Sequence, residues 1–245
     1  MDEVIQNKAC GISVETESEN DFLSRERTLI GDEAVERLKN SRVLLFGVGG
    51  VGGYVLEALV RAGVGAIGIV DFDTVSYSNI NRQIIADTVT VGHKKAEVAA
   101  QRASKINPNA EIAVYDMFAD SKTIPEIISS FSPDYIADAI DKVTSKLCII
   151  ETSKKYGIPV ISCMGTGNKL DPSRFRICDI SKTSTCPLAK VMRTELRKRG
   201  ISDVDVLFSD ELPAISSRVP ASISYVPACA GLLIAGHIIK ILAKI

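Results

Sequence analysis

The 245-residue sequence has no excess of charge of either sign, with 29 Lys and Arg against 30 Asp and Glu. That balance excludes a global field that would draw the chain to nucleic acid or membrane, so any such contact must come from a local patch. It also has no C-x-x-C: the six cysteines, Cys10, Cys148, Cys163, Cys178, Cys186 and Cys229, lie far apart. Such spacing argues against a disulfide framework and against a paired-thiolate zinc site, so no zinc is expected. No signal-peptide pattern is present, which leads us to expect reduced thiols and a cytoplasmic protein. The most apolar stretch, "AGLLIAGHIIKILAKI", is broken by His237 and Lys240. It reads as a buried C-terminal helix rather than a membrane insertion. There is no internal repeat and no low-complexity tract. What remains is a chain with 46% apolar residues, ample for a large core.

Residues 1–21 are polar, carry Glu15, Glu17 and Glu19, and show neither a helical nor a strand period, so they are expected to form a flexible leader. From residue 22 to 245 a single domain is expected, its nucleotide-binding part spanning about 41–165 and its substrate-side part about 166–245. A short amphipathic helix is predicted from Glu33 to Leu38, followed by the buried strand "RVLLFG". Strands "AIGIVD", "AEIAVYD", "YIADAI" and "PVISCMG" then alternate with helices "KKAEVAAQRASKIN", "IPEIISSF" and "TSKLCIIETSKKYG". This rhythm predicts an α/β fold: a doubly wound, Rossmann-like, mostly parallel sheet with helices on both faces. After Gly167 the rhythm changes. "RFRICDIS", the helix "PLAKVMRTELRKRG", "VDVLFSDE" and the C-terminal helix predict a mixed or antiparallel extension of the sheet.

The glycines of "LLFGVGGVGG" stand between the first strand and a helix, where Gly47, Gly49 and Gly52 match G-x-G-x-x-G. There, backbone N–H groups and the helix dipole meet phosphate oxygens. Asp71 ends the second strand, where a carboxylate accepts ribose hydroxyl hydrogens. An NAD-dependent dehydrogenase would use all of these residues identically. The stretch "DFDTVSYSNINRQ" separates the readings, because hydride transfer has no need of Asn79, Asn81, Arg82 and Gln83 beside the loop. A triphosphate that develops charge does. Lys95 adds a second cation at a helix start, where a cation is otherwise disfavoured. Asp138 and Asp141 of "DAID" follow a strand at its carboxyl end, where doubly wound sheets bind ligands. Asp141 either caps the next helix or ligates Mg²⁺, and the nearby cations in sequence favour the metal.

Together, "GVGGVGG", "DFDTVSYSNINRQ", "VGHKKAE", "INPNAEI" and "DAID" resemble the ubiquitin-activating superfamily that includes ThiF and MoeB, over about residues 22–165. The resemblance implies ATP·Mg²⁺ as the cofactor and attack of a carboxylate on the α-phosphate to give an acyl-adenylate. It places Gly50 at the phosphates, Asp71, with Asp73 beside it, at the ribose, Asn79 and Arg82 at the triphosphate, Lys95 beside it, and Asp141 on the metal. The later "SCMGTGNKLDPSRFRICDISKTSTCPLAKVMRTELRKRG", "FSDE" and "VPACAGLLIAGHIIK" are similar to the tRNA threonylcarbamoyladenosine dehydratases, the TcdA branch. That likeness implies a tRNA substrate whose threonyl carboxylate is adenylated, after which its carbamoyl group closes a ring and expels AMP. A homodimer is implied by the family alone, and a sulfur-transfer or redox partner protein is compatible with it.

The alternative is an adenylyltransferase for the C-terminus of a ubiquitin-like sulfur carrier, the ThiF or MoeB role; the missing C-x-x-C pairs count against it. Cys186, before Pro187, is either a thiol nucleophile or a neutral loop substitution, and the absence of a histidine signal favours the second. On the helix starting at Pro187, Leu188, Val191, Met192 and Leu196 share one predicted face. Lys190, Arg193 and Arg197, continued by Lys198 and Arg199, form a stripe suited to a phosphate backbone. Finally, in "FLSRERTLIG" the resemblance implies that Arg25, rather than Arg27, reaches across a dimer to the partner's ATP.

Overall fold

The computed structural model describes residues 21–217 and 219–245; residues 1–20 of the predicted leader, Cys10 among them, lie outside the described residues. Two helices, α1 (Ser24–Ile30) and α2 (Asp32–Lys39), precede the first strand. The second is the predicted amphipathic helix: Ala34, Val35 and Leu38 are buried, Asp32 and Glu33 stand in its first turn, and Arg37 and Lys39 stand in its last. Both charge placements complement the helix dipole. Helix α1 lacks any buried residue within its span, which is why periodicity did not predict it.

The alternation then runs β1 (Arg42–Phe46), α3 (Gly52–Arg61), β2 (Ala66–Val70), α4 (Lys95–Ile106), β3 (Glu111–Tyr115), α5 (Thr123–Phe131), β4 (Tyr135–Asp138), α6 (Val143–Tyr156) and β5 (Val160–Cys163). The remaining elements are β6 (Phe175–Asp179), α7 (Pro187–Lys198), β7 (Asp205–Ser209) and α8 (Tyr225–Ala243). Seven strands form one sheet in the order β3-β2-β1-β4-β5-β7-β6. Strand β7 pairs parallel with β5, and only β6 runs antiparallel, against β7. The mixed extension expected from the sequence is therefore a single reversed strand at one edge. One apolar core gathers side chains of α2, α3, α4 and α8, and a second gathers α5, α6 and α7 on the other face. Strands buried on both faces read as continuous apolar runs, as β1 and β2 do.

The direction in which successive strands are added to the sheet reverses between β1 and β4, which pair in parallel with Phe46 opposite Asp138. Phe46 also stands opposite Val70 on β2, so Gly47, Asp71 and Ala139 leave the sheet at one level. This is the crevice at which open α/β sheets bind ligands.

Two helices differ from expectation. On α7 the buried residues are Ala189, Met192 and Leu196, whereas Val191 is 45% exposed. Successive positions 191 and 192 are about 100° apart on a helix, and Met192 takes the core side. Helix α8 is 19 residues long and is, by length and composition, apolar enough to cross a membrane. Here Val226, Ala230, Ile234 and Ile238 are buried in the core it shares with α3, while Leu232, Leu233 and Ile241 are exposed on its far side. Helix α8 is thus half-buried rather than wholly buried.

Beneath β4 and β5 lies a buried ionic cluster. Lys146 Nζ donates to Asp138 Oδ2 at 2.9 Å and to Ser162 Oγ at 3.1 Å, and Ser162 Oγ donates to Asp138 Oδ2 at 2.6 Å. Neither charged side chain has any exposure, both reading 0%. Register explains the Ser162 contact, because Asp138 and Ser162 are paired across the two strands. Lys146→Met would strand the Asp138 charge in the interior, and removal of one partner from a buried pair typically costs about 3–5 kcal/mol. We expect urea unfolding to show a loss of stability of that order in Lys146→Met, and recovery of much of the loss in Lys146→Met/Asp138→Asn; an unchanged midpoint in the single variant would contradict it.

Candidate active site

A cavity of about 750 Å³ opens at the reversal between β1 and β4. One part of its wall comes from the glycine loop: Gly47, Gly49, Gly50 and Val51. Gly47 has φ +86°, a left-handed conformation that favours glycine, and a β-carbon there would press on Ile140. Gly52 opens α3, and a β-carbon on it would overlap the Gly47 carbonyl oxygen. Gly52 therefore works by permitting the tight loop, and it does not itself line the cavity.

Asp71 fixes that loop to the next segment. Its Oδ2 accepts the Val48 N–H at 2.8 Å, and its Oδ1 accepts the Asp73 N–H at 2.9 Å. Burial raises the Asp71 pKa above the ordinary carboxylate value; the two backbone donors, and then Lys95, oppose the rise. Lys95, the first residue of α4, is buried and donates from Nζ to Asp73 Oδ2 at 2.8 Å. Asp71, Asp73 and Lys95 all line the cavity.

The turn after Ser76 brings in the polar cluster. Ser76 and Asn79 form a reciprocal capping box around the short 3₁₀ turn Tyr77–Asn79, and Asn79 is buried. Arg82 donates from Nη1 to Ser78 O at 3.0 Å and to Asn81 Oδ1 at 2.9 Å, with no carboxylate partner among the described residues. Gln83 is buried, and its Oε1 has no hydrogen-bond partner among the described residues. A buried acceptor left open in a polar cavity is a place for a donor from a ligand or water. Asn79, Arg82 and Gln83 line the cavity; Asn81 stands behind Arg82 and does not.

On the opposite side, the exit of β4 supplies Ala139, Ile140, Asp141 and Lys142. Asp141 is exposed to the cavity, and its carboxylate has no ion pair or hydrogen bond among the described residues. No cluster of three His, Cys, Asp or Glu is present among the described residues. One free carboxylate facing a phosphate cradle suits Mg²⁺, which takes one or two carboxylates and completes its shell with phosphate oxygens and water. Asp138, predicted as a nucleotide contact, is instead turned into the interior, where its Oδ2 accepts from Lys146 and Ser162 and its Oδ1 from the Ile140 N–H. Its sequence signal, an acid at a strand end, does not distinguish a ligand from a core pair.

The remaining wall comes from the end of β5 and the chain beyond it: Cys163, Met164, Gly165, Thr166 and Gly167, Leu188 of α7, residues 219–222, and Pro227 of α8. Sequence reasoning missed residues 219–222, since "VPAS" carries no motif. Cys163 is a thiol in this wall, but burial pushes its pKa up to about 12, so it stays protonated and unreactive. Cys186 is buried in the core with Met164 and Ala189 and does not line the cavity.

Two predicted cationic features lie elsewhere. Arg27 is tied to Asp21, Asp32 and Glu36 in its own chain, whereas Arg25 is exposed without an ion pair among the described residues. Of the α7 stripe, Arg193 donates to Thr183 O and Oγ1, Lys198 pairs with Glu195, and Arg199 pairs with Glu151 and Glu195. Lys190 and Arg197 are exposed and have no ion pair among the described residues.

Comparison with known proteins agrees with this architecture. The chain is similar to the tRNA threonylcarbamoyladenosine dehydratase of Bacillus subtilis (strain 168), with 42% identity over 240 residues, 90% of this chain and 94% of the relative. It is similar to the crystal structure of E. coli tRNA N6-threonylcarbamoyladenosine dehydratase, TcdA, in complex with ATP, at a TM-score of 0.85 and 32% identity, covering 91% of this chain and 93% of that one. The AMP complex of the same E. coli protein matches at a TM-score of 0.84 and 32% identity, over 89% and 92% of the two chains. The ThiF family model matches residues 23–245, and the chain belongs to the ThiF family.

Proposed function

We propose that this protein is an ATP-dependent tRNA threonylcarbamoyladenosine dehydratase. The observation that carries the reading is one cavity that joins a glycine-loop phosphate cradle, the Arg82 guanidinium and the free Asp141 carboxylate to a wall built by the C-terminal half. Relatives that match over nine-tenths of the chain bear that name, and structures of the E. coli relative hold ATP and AMP.

The chemistry follows from these groups. A substrate carboxylate is already ionised near neutral pH, so no general base is needed for its attack on the α-phosphate. An oxygen–phosphorus bond forms to the carboxylate as the bond to pyrophosphate breaks. The chain's own work is positioning and charge stabilisation. Backbone N–H groups of residues 47–51 and the start of α3 hold phosphate oxygens, Asp71 accepts from the ribose, and Asn79, Arg82, Gln83 and Lys95 face the triphosphate. Asp141 would hold Mg²⁺, which supplies Lewis-acid charge neutralisation on phosphate oxygens. The carbamoyl group attached to the same substrate then attacks the activated carbonyl, AMP leaves, and water has been lost overall. No protein thioester is required, in keeping with buried Cys186 and protonated Cys163. Arg25, exposed and without an ion pair among the described residues, acts on the site of a second copy in a homodimer.

The deciding experiment is ATP–pyrophosphate exchange, driven either by tRNA carrying threonylcarbamoyladenosine or by the C-terminal tail of a sulfur-carrier protein. Exchange with the tRNA alone is expected; exchange with the tail alone would transfer the protein to the carrier-activating role. In that assay Arg82→Ala and Asp141→Asn should each lower turnover by on the order of 10²-fold or more with thermal stability unchanged. Near-normal exchange in Asp141→Asn would remove the metal role.

Lys190 and Arg197 are the free cations from which tRNA contact on α7 is proposed. Lys190→Glu/Arg197→Glu should weaken tRNA binding, reduce the slope of log affinity against log salt by roughly 1–2, and leave ATP binding intact. An unaltered salt slope would return the helix to ordinary solvated surface.

Asp71 makes nucleotide binding pH-dependent. Its ionised form offers the acceptors that ribose hydroxyls need, so affinity is full above its pKa and is lost as pH falls through it. Because burial lifts that pKa above 3.8, the loss begins at a higher pH than an ordinary aspartate would give. Adenosine nucleotide affinity measured from about pH 7 to about pH 4.5 should fall more steeply in the wild type than in Asp71→Asn, a comparison that cancels titration of the phosphates. Parallel curves would contradict the assignment.

A further inference from the structure

The chain between β7 and α8 returns over the cavity, where residues 219–222 form part of the substrate-side wall. Burial of apolar side chains does little to hold it, since Leu212 and Val219 are each 74% exposed. Polar ties hold it instead, and most run to one neighbour. Glu211 accepts the Leu170 and Asp171 N–H groups at 2.9 and 3.1 Å. Asn168 exchanges two hydrogen bonds with Ala221, of 2.8 and 2.7 Å, and its carbonyl accepts the Ala214 N–H at 2.8 Å. All of these partners belong to the substrate-side half.

Among the described residues, one hydrogen bond joins this wall to the nucleotide half: Asn81 Nδ2 donates to Ser222 O at 3.2 Å. The same amide is engaged at its other end, where Asn81 Oδ1 accepts from Arg82 Nη1 at 2.9 Å. Arg82, Asn81 and Ser222 thus form a chain of bonds from the phosphate end of the cavity to its substrate end. Among the described residues, Arg82 is held in it by two neutral acceptors, Asn81 Oδ1 and Ser78 O. A phosphate oxygen adds full ion-pair attraction and a bidentate geometry that neither neutral acceptor offers. An arriving triphosphate therefore draws the guanidinium off Asn81.

We propose that Asn81 is a positioning residue that couples occupancy of the phosphate site to the substrate wall: without nucleotide the Arg82–Asn81–Ser222 chain ties residues 219–222 inward, and nucleotide breaks the tie. The proposal rests on the assignment of Arg82 to the phosphates. It makes binding ordered, with ATP first, and by linkage the tRNA in turn favours the nucleotide-bound state. Asn81 is exposed and outside the cavity lining, so its substitution threatens neither the fold nor the nucleotide cradle.

Amide hydrogen exchange on the full-length protein, with and without the α,β-methylene analogue of ATP and with no tRNA present, tests the coupling directly. In the wild type the analogue should speed exchange several-fold in a peptide covering residues 219–224. In Asn81→Ala exchange there should be fast with or without the analogue, while analogue affinity stays within about two-fold of wild type. Asn81→Asp keeps an acceptor for Arg82 but loses the donor to Ser222, and should be equally insensitive. A parallel measurement of tRNA affinity should show a gain on adding the analogue to the wild type and none in Asn81→Ala. An analogue effect of equal size in wild type and Asn81→Ala would overturn the proposal, as would a ten-fold loss of analogue affinity in Asn81→Ala, which would make Asn81 a ligand. Failure of the wild type to act on the tRNA would reject the dehydratase reading while leaving the exchange result to decide the coupling.

Discussion

The Asp71 carboxylate is the constraint on which the site depends. It clips the glycine loop through the Val48 N–H and the next segment through the Asp73 N–H, so two backbone stretches that leave different strands are held to one side chain. Each oxygen gives one lone pair to the protein and keeps another for a ligand. The geometry of the nucleotide cradle is therefore set before anything binds, and less ordering remains to be done on binding. Asp73, aligned by the same contact, in turn holds Lys95 at the start of α4. A single half-buried acid thereby organises a loop, a turn and a cation.

On the other side of the crevice a comparable task falls to charges that never see the ligand. Lys146 and Asp138 bind the start of α6 to the end of β4, and Ser162 extends the contact to β5. Of the residues between them in sequence, 139–142 carry Asp141 and form cavity wall. A buried ion pair is weak evidence of stabilisation, since hydrophobic residues of similar volume can replace one without loss. Its effect here is geometric: the chain that presents Asp141 is fixed at both ends, three residues before it and five after.

How much of this was legible depended on whether a signal was local. The alternation of β1 through β5, the glycine loop and the cluster from Asn79 to Gln83 were readable because strand period, helix period and phosphate chemistry each leave a pattern within a few residues. Helix α1 left none, having no apolar face of its own to bury. Asp138 and Asp141 looked alike in "DAID" because only the third dimension shows that Lys146 pairs with the first, while the second has no ion pair among the described residues. On α7 the spacing of the cations was visible, but the pairing of Arg199 with Glu151, from another helix, was not. Residues 219–222 were invisible for a different reason: they enter the site through backbone atoms and small side chains, which any sequence can supply.

The division of the cavity explains why the two halves of the sequence differ in character. The part that meets ATP must satisfy an invariant ligand, and its polar residues are charged, glycine or amide, with Asp71, Asp73, Arg82 and Lys95 each tied to a neighbour. The part that meets the carboxylate substrate must admit something large and already bearing its own second nucleophile; its wall is accordingly apolar or backbone, with Met164, Leu188 and Pro227 beside Gly165 and Gly167. Such a wall offers no base and no reactive thiol, Cys163 being kept protonated by its burial. If the second step needed a protein nucleophile, it would have to come from this wall, and the described part of the wall holds none with a lowered pKa. The chemistry after adenylation must then be carried by the substrate itself, which is the condition under which an adenylating fold turns activation of a carboxylate into loss of water.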